Sequence, residues 1–175
     1  MTFLLALIFL AYNIIRKKVI DMYYSTQKLG KSLQTHIERL KYCDEIAKLS
    51  PCLSRHVGAL IVKDNCILST GYNRTPVNTA SCDNCIRKAK KSGEALDICK
   101  ALHAEEICIL TFLKKYDYST LKDCILYVSV APCYNCAKLI VETGIKQVYA
   151  RYDYNSNYTK AIFDEAGVSL IILNS

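Results

Sequence analysis

The stretch Ala131-Pro132-Cys133-Tyr134-Asn135-Cys136 decides the fold, because it joins an apolar run at residues 125–130 to a segment that predicts a helix. The apolar run is typical of a strand, and Pro132 stands where a helix begins, since proline is favoured in the first turn. Two cysteines three positions apart at a helix start can bring both sulfurs to one ion. The positive end of the helix dipole also stabilises the thiolate form that binds zinc. The stretch therefore predicts a metal site between a strand and a helix.

A second motif, His103-Ala104-Glu105, opens the helix predicted for residues 103–114. Its imidazole would give a zinc ion a third protein ligand and leave the fourth tetrahedral position to water, as a catalytic zinc site requires. Zinc lowers the pKa of such a water toward neutrality, and Glu105 can reach the same water to move its proton. Cys-x-x-Cys alone more often marks structural zinc or redox chemistry, and His-x-Glu alone means little. Together they predict catalysis by Glu105 at a zinc held by His103, Cys133 and Cys136.

The order of the predicted elements defines an α/β fold. Apolar residues at helical spacing over 31–49 predict a first helix, which Pro51 ends. The sequence α-β-β-α-β-α-β-α-β then predicts a mixed five-stranded sheet layered between helices. The remaining elements are strands at 57–62, 66–69, 125–130, 148–150 and 169–172 and helices at 103–114, 133–143 and 159–166, with a turn at 63–65.

The composition leaves the partner open and favours a reducing compartment. A net charge of +7 suits an anionic partner such as a nucleotide phosphate, but it also suits ordinary solubility. Ten cysteines would fit a secreted disulfide scaffold. Against that, no cleavable signal peptide is evident, 51% apolar residues can form a core, and the cysteines cluster at metal-like spacings. We therefore expect a cytoplasmic protein with thiolates on zinc.

Residues 1–21 form an apolar N-terminal extension that ends near the basic triplet Arg16-Lys17-Lys18. The apolar run is short for a spanning helix, which needs about 20 apolar residues. Three interpretations stay open: a marginal membrane anchor, a packed helix, or a segment upstream of a working start at Met22. The third is favoured, which leaves a single predicted domain at 22–175. Membrane contact is expected only if residues 1–21 are translated and exposed.

The chain resembles the cytidine/deoxycytidylate deaminase superfamily and, within it, the dCMP deaminases, including the late-competence deaminase branch. The pair H-x-E and P-C-x-x-C is the zinc deaminase signature, and the resemblance covers about residue 33 to the C-terminus. It implies a three-layer α-β-α fold and zinc-dependent hydrolysis of dCMP to dUMP and ammonia, in pyrimidine deoxynucleotide metabolism. Further segments that carry it begin at Cys52 (CLSRHVGALIV), Thr70 (TGYN), Cys99 (CKALHAE), Ala131 (APCYNCAKLI), Gly144 (GIKQVY) and Glu165 (EAGV).

The resemblance also implies residues that bind the substrate. Asn73 would contact the nucleotide, the backbone of Ala104 would touch the base, and Tyr152 or Tyr154 would line the pocket. The alternative for Asn73 is a plain turn residue. Arg74 stands where the family usually has glycine and is a candidate for the phosphate, together with Arg55. A second departure puts Ile107 where the family usually has asparagine, which removes a polar group beside the site.

A cysteine-bearing insertion at residues 76–101 predicts a second zinc. Cys82-Asp83-Asn84-Cys85 is another Cys-x-x-Cys, and with Cys52 and Cys99 it could close a structural four-thiolate site. Four buried or free thiols are the alternative. The remaining cysteines outside the catalytic motif, Cys43, Cys66, Cys108 and Cys124, are predicted to be core thiols.

Two other functions stay open at this point. One is deamination of another substrate, such as tRNA adenosine or a free nucleoside; the other is a non-catalytic zinc module for interaction. No nucleic acid partner is expected, because no dense basic patch is evident beyond the N-terminal triplet. The resemblance also implies a homo-oligomer and allosteric control by nucleoside triphosphates.

Overall fold

A computed structural model describes residues 32–87, 90, 95, 97–154 and 156–174. The chain divides into two units, 1–36 and 37–175, and the described part of the first, residues 32–36, is helical. The predicted extension at 1–21 and the boundary at Met22 lie outside the described residues. In the part of the chain that the structure describes, no helix has the length and hydrophobicity of a membrane-spanning segment.

Five strands form a single mixed sheet, as the sequence predicts, and their order is β2-β1-β3-β4-β5. β1 is antiparallel to both β2 and β3, whereas β3, β4 and β5 are parallel to one another. The strands are β1 Gly58–Lys63, β2 Cys66–Tyr72, β3 Ile125–Val130, β4 Gln147–Tyr152 and β5 Ser169–Ile172. The helices are α1 (32–47), α2 Ala104–Leu113, α3 Tyr134–Glu142 and α4 Asn157–Ala166, with a 3-10 helix at Tyr118–Asp123.

Helices cover both faces of the sheet, which gives the three layers. Because successive side chains of a strand point to opposite faces, each strand contributes to two cores. On one face Leu60, Val62 and Tyr127 pack against α1. On the other face the neighbouring residues of the same strands pack against α2, α3 and α4. The buried residues of this larger core include Ala59, Ile61, Leu126, Val128, Cys108, Phe112, Ile140 and Phe163.

Short local signals account for the turns between the elements. Asp64 and Asn65 both have positive φ, 49° and 63°, which is the conformation of the two-residue hairpin turn that Asn and Asp tolerate. Gly167 ends α4 with φ 64°, as a left-handed cap residue does. The structure corrects one predicted core thiol, because Cys66 begins the edge strand β2 and is exposed. The 3-10 helix was not predicted, since its six residues are too few to show an apolar period.

The backbone of α2, which begins directly after His103, lies against β2 at Gly71. A Cβ atom on Gly71 would lie 2.4 Å from both the carbonyl oxygen of Ala104 and the amide nitrogen of Cys108. No side-chain rotation can relieve a clash with two backbone atoms. Glycine at this position therefore sets how closely α2 approaches the sheet.

We expect Gly71→Ala to lower the free energy of unfolding by roughly 3 kcal/mol, the upper part of the range for overpacking. Gly167→Ala is the matched control, because its Cβ would meet nothing within 4 Å. This substitution should cost only about 1 kcal/mol, for placing alanine in a left-handed backbone conformation. Urea unfolding of both variants measures the difference. Equal losses would contradict the close approach of α2 to β2.

Candidate metal centre and active-site cavity

The sheet topology brings the predicted site residues to one edge. β2, β3 and β4 run in the same direction and β1 runs in the opposite one. The carboxyl ends of these three strands therefore meet the amino end of β1. Asn73 follows β2, Ala131 follows β3 and Tyr154 lies just beyond β4, while Val57 precedes β1. This edge is where ligands commonly bind in open α/β sheets.

Three candidate metal ligands converge there from the starts of two helices. His103 is the N-cap of α2, Cys133 is the N-cap of α3, and Cys136 lies in the first turn of α3. The Nδ1 atom of His103 is 3.4 Å from the sulfur of Cys133 and 3.3 Å from that of Cys136. Two ligands of one tetrahedral zinc would be about 3.6 Å apart, given the usual zinc–nitrogen and zinc–sulfur distances. The three donors therefore fit one zinc ion in number, chemistry and spacing.

Backbone contacts hold the two motifs in place. The carboxylate of Glu106 accepts a hydrogen bond of 2.6 Å from the backbone N–H of His103. Just before it, Leu102 pairs with Arg74 in an isolated antiparallel bridge. On the other side, the hydroxyl of Thr159 donates to the carbonyl of Pro132 over 3.1 Å. These contacts fix the chain immediately before both helix starts.

Hydrogen bonds among the three donors shift their pKa values in opposite directions. The hydrogen bond from Cys136 lowers the pKa of the Cys133 thiol to about 4, and His103 adds to this effect against the opposing effect of burial. The same contact raises the pKa of Cys136, which is its donor. The hydrogen bond with Cys133 raises the pKa of His103 to about 9. Cys133 therefore has thiolate character at neutral pH, whereas His103 and Cys136 carry protons that would leave on zinc binding, since metal ligands must be deprotonated.

Glu105 lies beside the donors in the first turn of α2 and is only 3% exposed. Burial raises the pKa of its carboxyl group to about 7, although the nearby charge of His103 opposes this rise. A carboxyl group with a pKa near the working pH can both accept and return a proton. Its position and burial therefore suit the proton-transfer role predicted for it.

A cavity of ≈ 200 Å³ opens at this point of the sheet edge. It brings together Asn73, Ala104 and Tyr154 of the predicted substrate residues. The side-chain oxygen of Asn73 accepts from the Val57 N–H and its amide nitrogen donates to the Arg55 carbonyl, each over 2.8 Å. The cavity is lined by Cys52, Ser54, Arg55, Val57, Asn73, Arg87, Lys90, Cys99, Ala101, His103, Ala104, Glu105, Val130, Ala131, Cys133 and Tyr154.

Two other predicted substrate residues are not brought to this cavity. The guanidinium group of Arg74 donates to the carbonyl of Thr75 over 3.0 Å, and Arg74 lines two other cavities. Tyr152 is 51% exposed at the end of β4, beside Arg151. Ile107 also lies elsewhere, buried on a part of α2 that faces an apolar cavity. The departure at Ile107 therefore changes no group that lines the cavity with Glu105.

The structure adds cationic residues that the sequence analysis did not assign. Arg87 and Lys90 of the insertion line the cavity together with Arg55. The insertion has no regular period, so no pattern indicated which of its several lysines and arginines would face inward. The cavity is therefore lined by cationic residues although Arg74 is not among them.

The four cysteines of the predicted second site share a neighbouring cavity of ≈ 360 Å³. All four are free thiols of intermediate exposure. Among the described residues, His103, Cys133 and Cys136 are the one group whose ligand atoms lie within 4.8 Å of one another. The second set is thus gathered around one cavity without the close convergence of the first. Its members are Cys52, Cys82, Cys85 and Cys99.

Comparison with known proteins assigns this site to a family. Residues 33–151 match the family model described as the cytidine and deoxycytidylate deaminase zinc-binding region, and the chain belongs to this family. The match includes both helix starts and all three candidate zinc ligands. Zinc is therefore the metal that the donor set, its geometry and the family agree on.

Several of the relatives are deoxycytidylate deaminases. The chain is 36% identical over 129 residues to the enzyme of Schizosaccharomyces pombe, covering 71% of this chain and 39% of the relative. It thus spans about two fifths of that protein. It is 35% identical over 109 residues to the enzyme of Mycobacterium phage D29, covering 58% and 82%. The structure of cyanophage S-TIM5 dCMP deaminase in complex with dCMP and dUMP matches with a TM-score of 0.66 at 25% identity, covering 78% and 94%.

Proposed function

We propose that this chain is a zinc-dependent hydrolytic deaminase that converts a cytosine nucleotide, most favourably dCMP, to the uracil nucleotide and ammonia. The observation that carries the proposal is the convergence of His103, Cys133 and Cys136 beside the buried carboxyl group of Glu105. A structural zinc site is closed by four protein ligands, whereas three ligands beside an acid leave room for chemistry. Relatives named deoxycytidylate deaminase support the reaction and the substrate.

Each residue of the cavity then has a defined task. A bound zinc supplies Lewis acidity and lowers the pKa of water. Glu105 takes one proton from the attacking water and delivers it to the ring nitrogen, where it stays, and then passes the second proton of that water to the amine, which leaves as ammonia. Asn73 and the backbone of Ala104 contact the nucleotide, and Tyr154 closes the pocket. His103 would hold the ion together with Cys133 and Cys136.

Positive charge in the cavity favours a phosphorylated substrate. Arg55 lines the cavity, and its backbone is tied to Asn73 by a 2.8 Å hydrogen bond. Arginine forms charge-assisted and often bidentate hydrogen bonds with phosphate. The cyanophage enzyme that shares this fold is described with dCMP and dUMP. A cytosine monophosphate is therefore preferred here over the free nucleoside.

A substrate panel tests the proposal. Ammonia release is measured for purified zinc-loaded protein with dCMP, CMP, deoxycytidine and an adenosine-containing tRNA anticodon stem-loop. We expect dCMP to have the highest kcat/KM, on the order of a hundredfold above deoxycytidine, since losing a charged partner costs a few kcal/mol. Turnover of the tRNA alone would contradict the assignment of a cytosine nucleotide as substrate. Equal kcat/KM values for dCMP and deoxycytidine would contradict the preference for the nucleotide. No turnover at all would favour a non-catalytic zinc module.

We also propose a second, structural zinc ion held by Cys52, Cys82, Cys85 and Cys99. All four thiols line one cavity, and the polar insertion that carries three of them has few apolar residues to hold it. A four-thiolate zinc would supply that stabilisation.

The proposed second ion can be tested by the number of zinc ions per chain. The unmodified chain should hold close to two zinc ions, and Cys85→Ser should lose one of them, lower the melting temperature and keep the catalytic ion. Zinc is measured by elemental analysis. Cys66→Ser, which changes an exposed thiol outside both sets, should lose neither. One zinc in the unmodified chain would contradict the proposal.

The family resemblance extends the proposal to assembly, control and location. We expect copies of the chain to form a homo-oligomer, nucleoside triphosphates to regulate it, and the protein to act in the cytoplasm. Light scattering, with and without triphosphates, tests the first two expectations.

A further inference from the structure

The cavity that contains Glu105 carries a positive balance of charge. Arg55 precedes β1, while Arg87 and Lys90 belong to the insertion, and all three line the cavity. Among the described residues of its lining, Glu105 is the one carboxylate. A cavity with this balance attracts a phosphate group more strongly than a neutral sugar.

Arg87 differs from the other two cations by its position in a shared wall. It lines both the cavity with Glu105 and the neighbouring cavity of the four cysteines. Cys52, Cys99 and Ala101 line both cavities as well. The wall between the two cavities therefore contains Arg87 and two members of the cysteine set. A third member, Cys85, lies two positions before Arg87 in the chain.

The exposure of Arg87 also favours a specific role. Its side chain is half-buried, whereas Arg55 and Lys90 are exposed. A partly buried charge is screened less by salt and water than an exposed one. A guanidinium group held in a wall also loses less freedom when it binds a planar pair of phosphate oxygens.

We infer that Arg87 is the residue by which the insertion recognises the phosphate of the substrate, and that the cysteine set positions it. The selectivity for nucleotide over nucleoside then depends on the cysteines, although they lie outside the reacting centre. This inference rests on the proposed deaminase function. It assigns to Arg87 the task that the sequence analysis gave to Arg74, whose guanidinium group lies against the carbonyl of Thr75.

The test compares selectivity among variants of the zinc-loaded full chain. For Arg87→Ala we expect kcat/KM with dCMP to fall by about tenfold to a hundredfold, as for loss of a charged hydrogen-bond partner. With deoxycytidine it should change less than about threefold, because no phosphate contact is lost. Arg87→Lys should recover part of the loss. Arg74→Ala removes the same charge from a residue that does not line the cavity with Glu105. It should leave kcat/KM unchanged for both substrates.

A second measurement does not depend on turnover. The dissociation constants of dCMP and deoxycytidine are measured by calorimetry in a Glu105→Gln background, with and without Arg87→Ala or Cys85→Ser. Both added substitutions should raise the dissociation constant of dCMP and leave that of deoxycytidine unchanged. For Cys85→Ser the zinc content is recorded on the same sample, so that the loss of selectivity can be compared with the loss of an ion.

The outcomes separate this inference from the proposed function. If the unmodified chain turns over neither substrate, the proposed function fails. If it turns over both, and Arg87→Ala changes neither or weakens both equally, the inference is overturned and the function stands. Loss of selectivity in Arg74→Ala instead of Arg87→Ala has the same consequence. If Cys85→Ser keeps the preference for dCMP over deoxycytidine, the claim that the cysteine set positions Arg87 is overturned.

Discussion

Glu105→Gln should keep the zinc ion and lose nearly all turnover. The side chain is not one of the three gathered metal donors, and it is buried beside them. Glutamine has almost the same shape but cannot accept and return a proton. General acid–base catalysis contributes about 10²- to 10⁴-fold, so kcat should fall by that factor. Steady-state ammonia release with dCMP, together with zinc analysis of the same preparation, measures both quantities.

Glu165→Gln is the matched control for this change. Glu165 is an exposed residue of α4, outside the lining of the cavity, and the substitution removes the same charge. It should change kcat by less than about twofold, as surface substitutions away from a site usually do little. If Glu105→Gln retains substantial turnover, another group moves the proton. If it loses the zinc instead, Glu105 supports the metal and not the chemistry.

Cys136→Ser should remove the catalytic zinc and abolish turnover. Zinc binds the thiolate form of cysteine, and a serine hydroxyl remains protonated and is a poor replacement. His103 and Cys133 would then be left as two ligands, one fewer than catalytic zinc sites use. Zinc content should fall by one ion, and ammonia release should fall to the level of the buffer.

Cys66→Ser serves as the control, since this thiol is exposed on the edge strand. It should keep the zinc content and the turnover of the unmodified chain. A Cys136→Ser protein that still holds its zinc and turns over dCMP would show that the ion lies elsewhere. Loss of folding in Cys136→Ser would be detected by circular dichroism, and Cys133→Ser then provides a second removal of one ligand.

The fold and the metal donors could be predicted because their signals are local or strongly patterned. The strand at Ile125–Val130 and the helix start at Cys133 follow from an apolar run, a proline and two cysteines within twelve residues. His103 is about 30 residues before these cysteines in the sequence. Its H-x-E motif is nevertheless specific when it occurs together with P-C-x-x-C. The parallel pairing of β3 and β4 then follows from the intervening helix.

The details of the cavity could not be predicted, because side-chain direction depends on tertiary contacts. Asn73 and Arg74 are adjacent, and the chain there is extended and pairs with Leu102. Successive side chains of an extended chain point to opposite sides. Asn73 therefore faces the cavity with Glu105, whereas Arg74 faces away from it. For Arg87 the sequence carried no comparable signal, since it lies in an insertion without a period.

The most direct test of the central claim is the conversion of dCMP by the purified chain in water labelled with heavy oxygen. Mass spectrometry follows the nucleotide and a coupled assay follows ammonia. We expect dUMP and ammonia in equal amounts, with one heavy oxygen in each dUMP. A zinc chelator should stop the conversion, and added zinc should restore it. A folded, zinc-loaded chain that forms no dUMP, or a conversion that persists after all zinc is removed, would contradict the central claim.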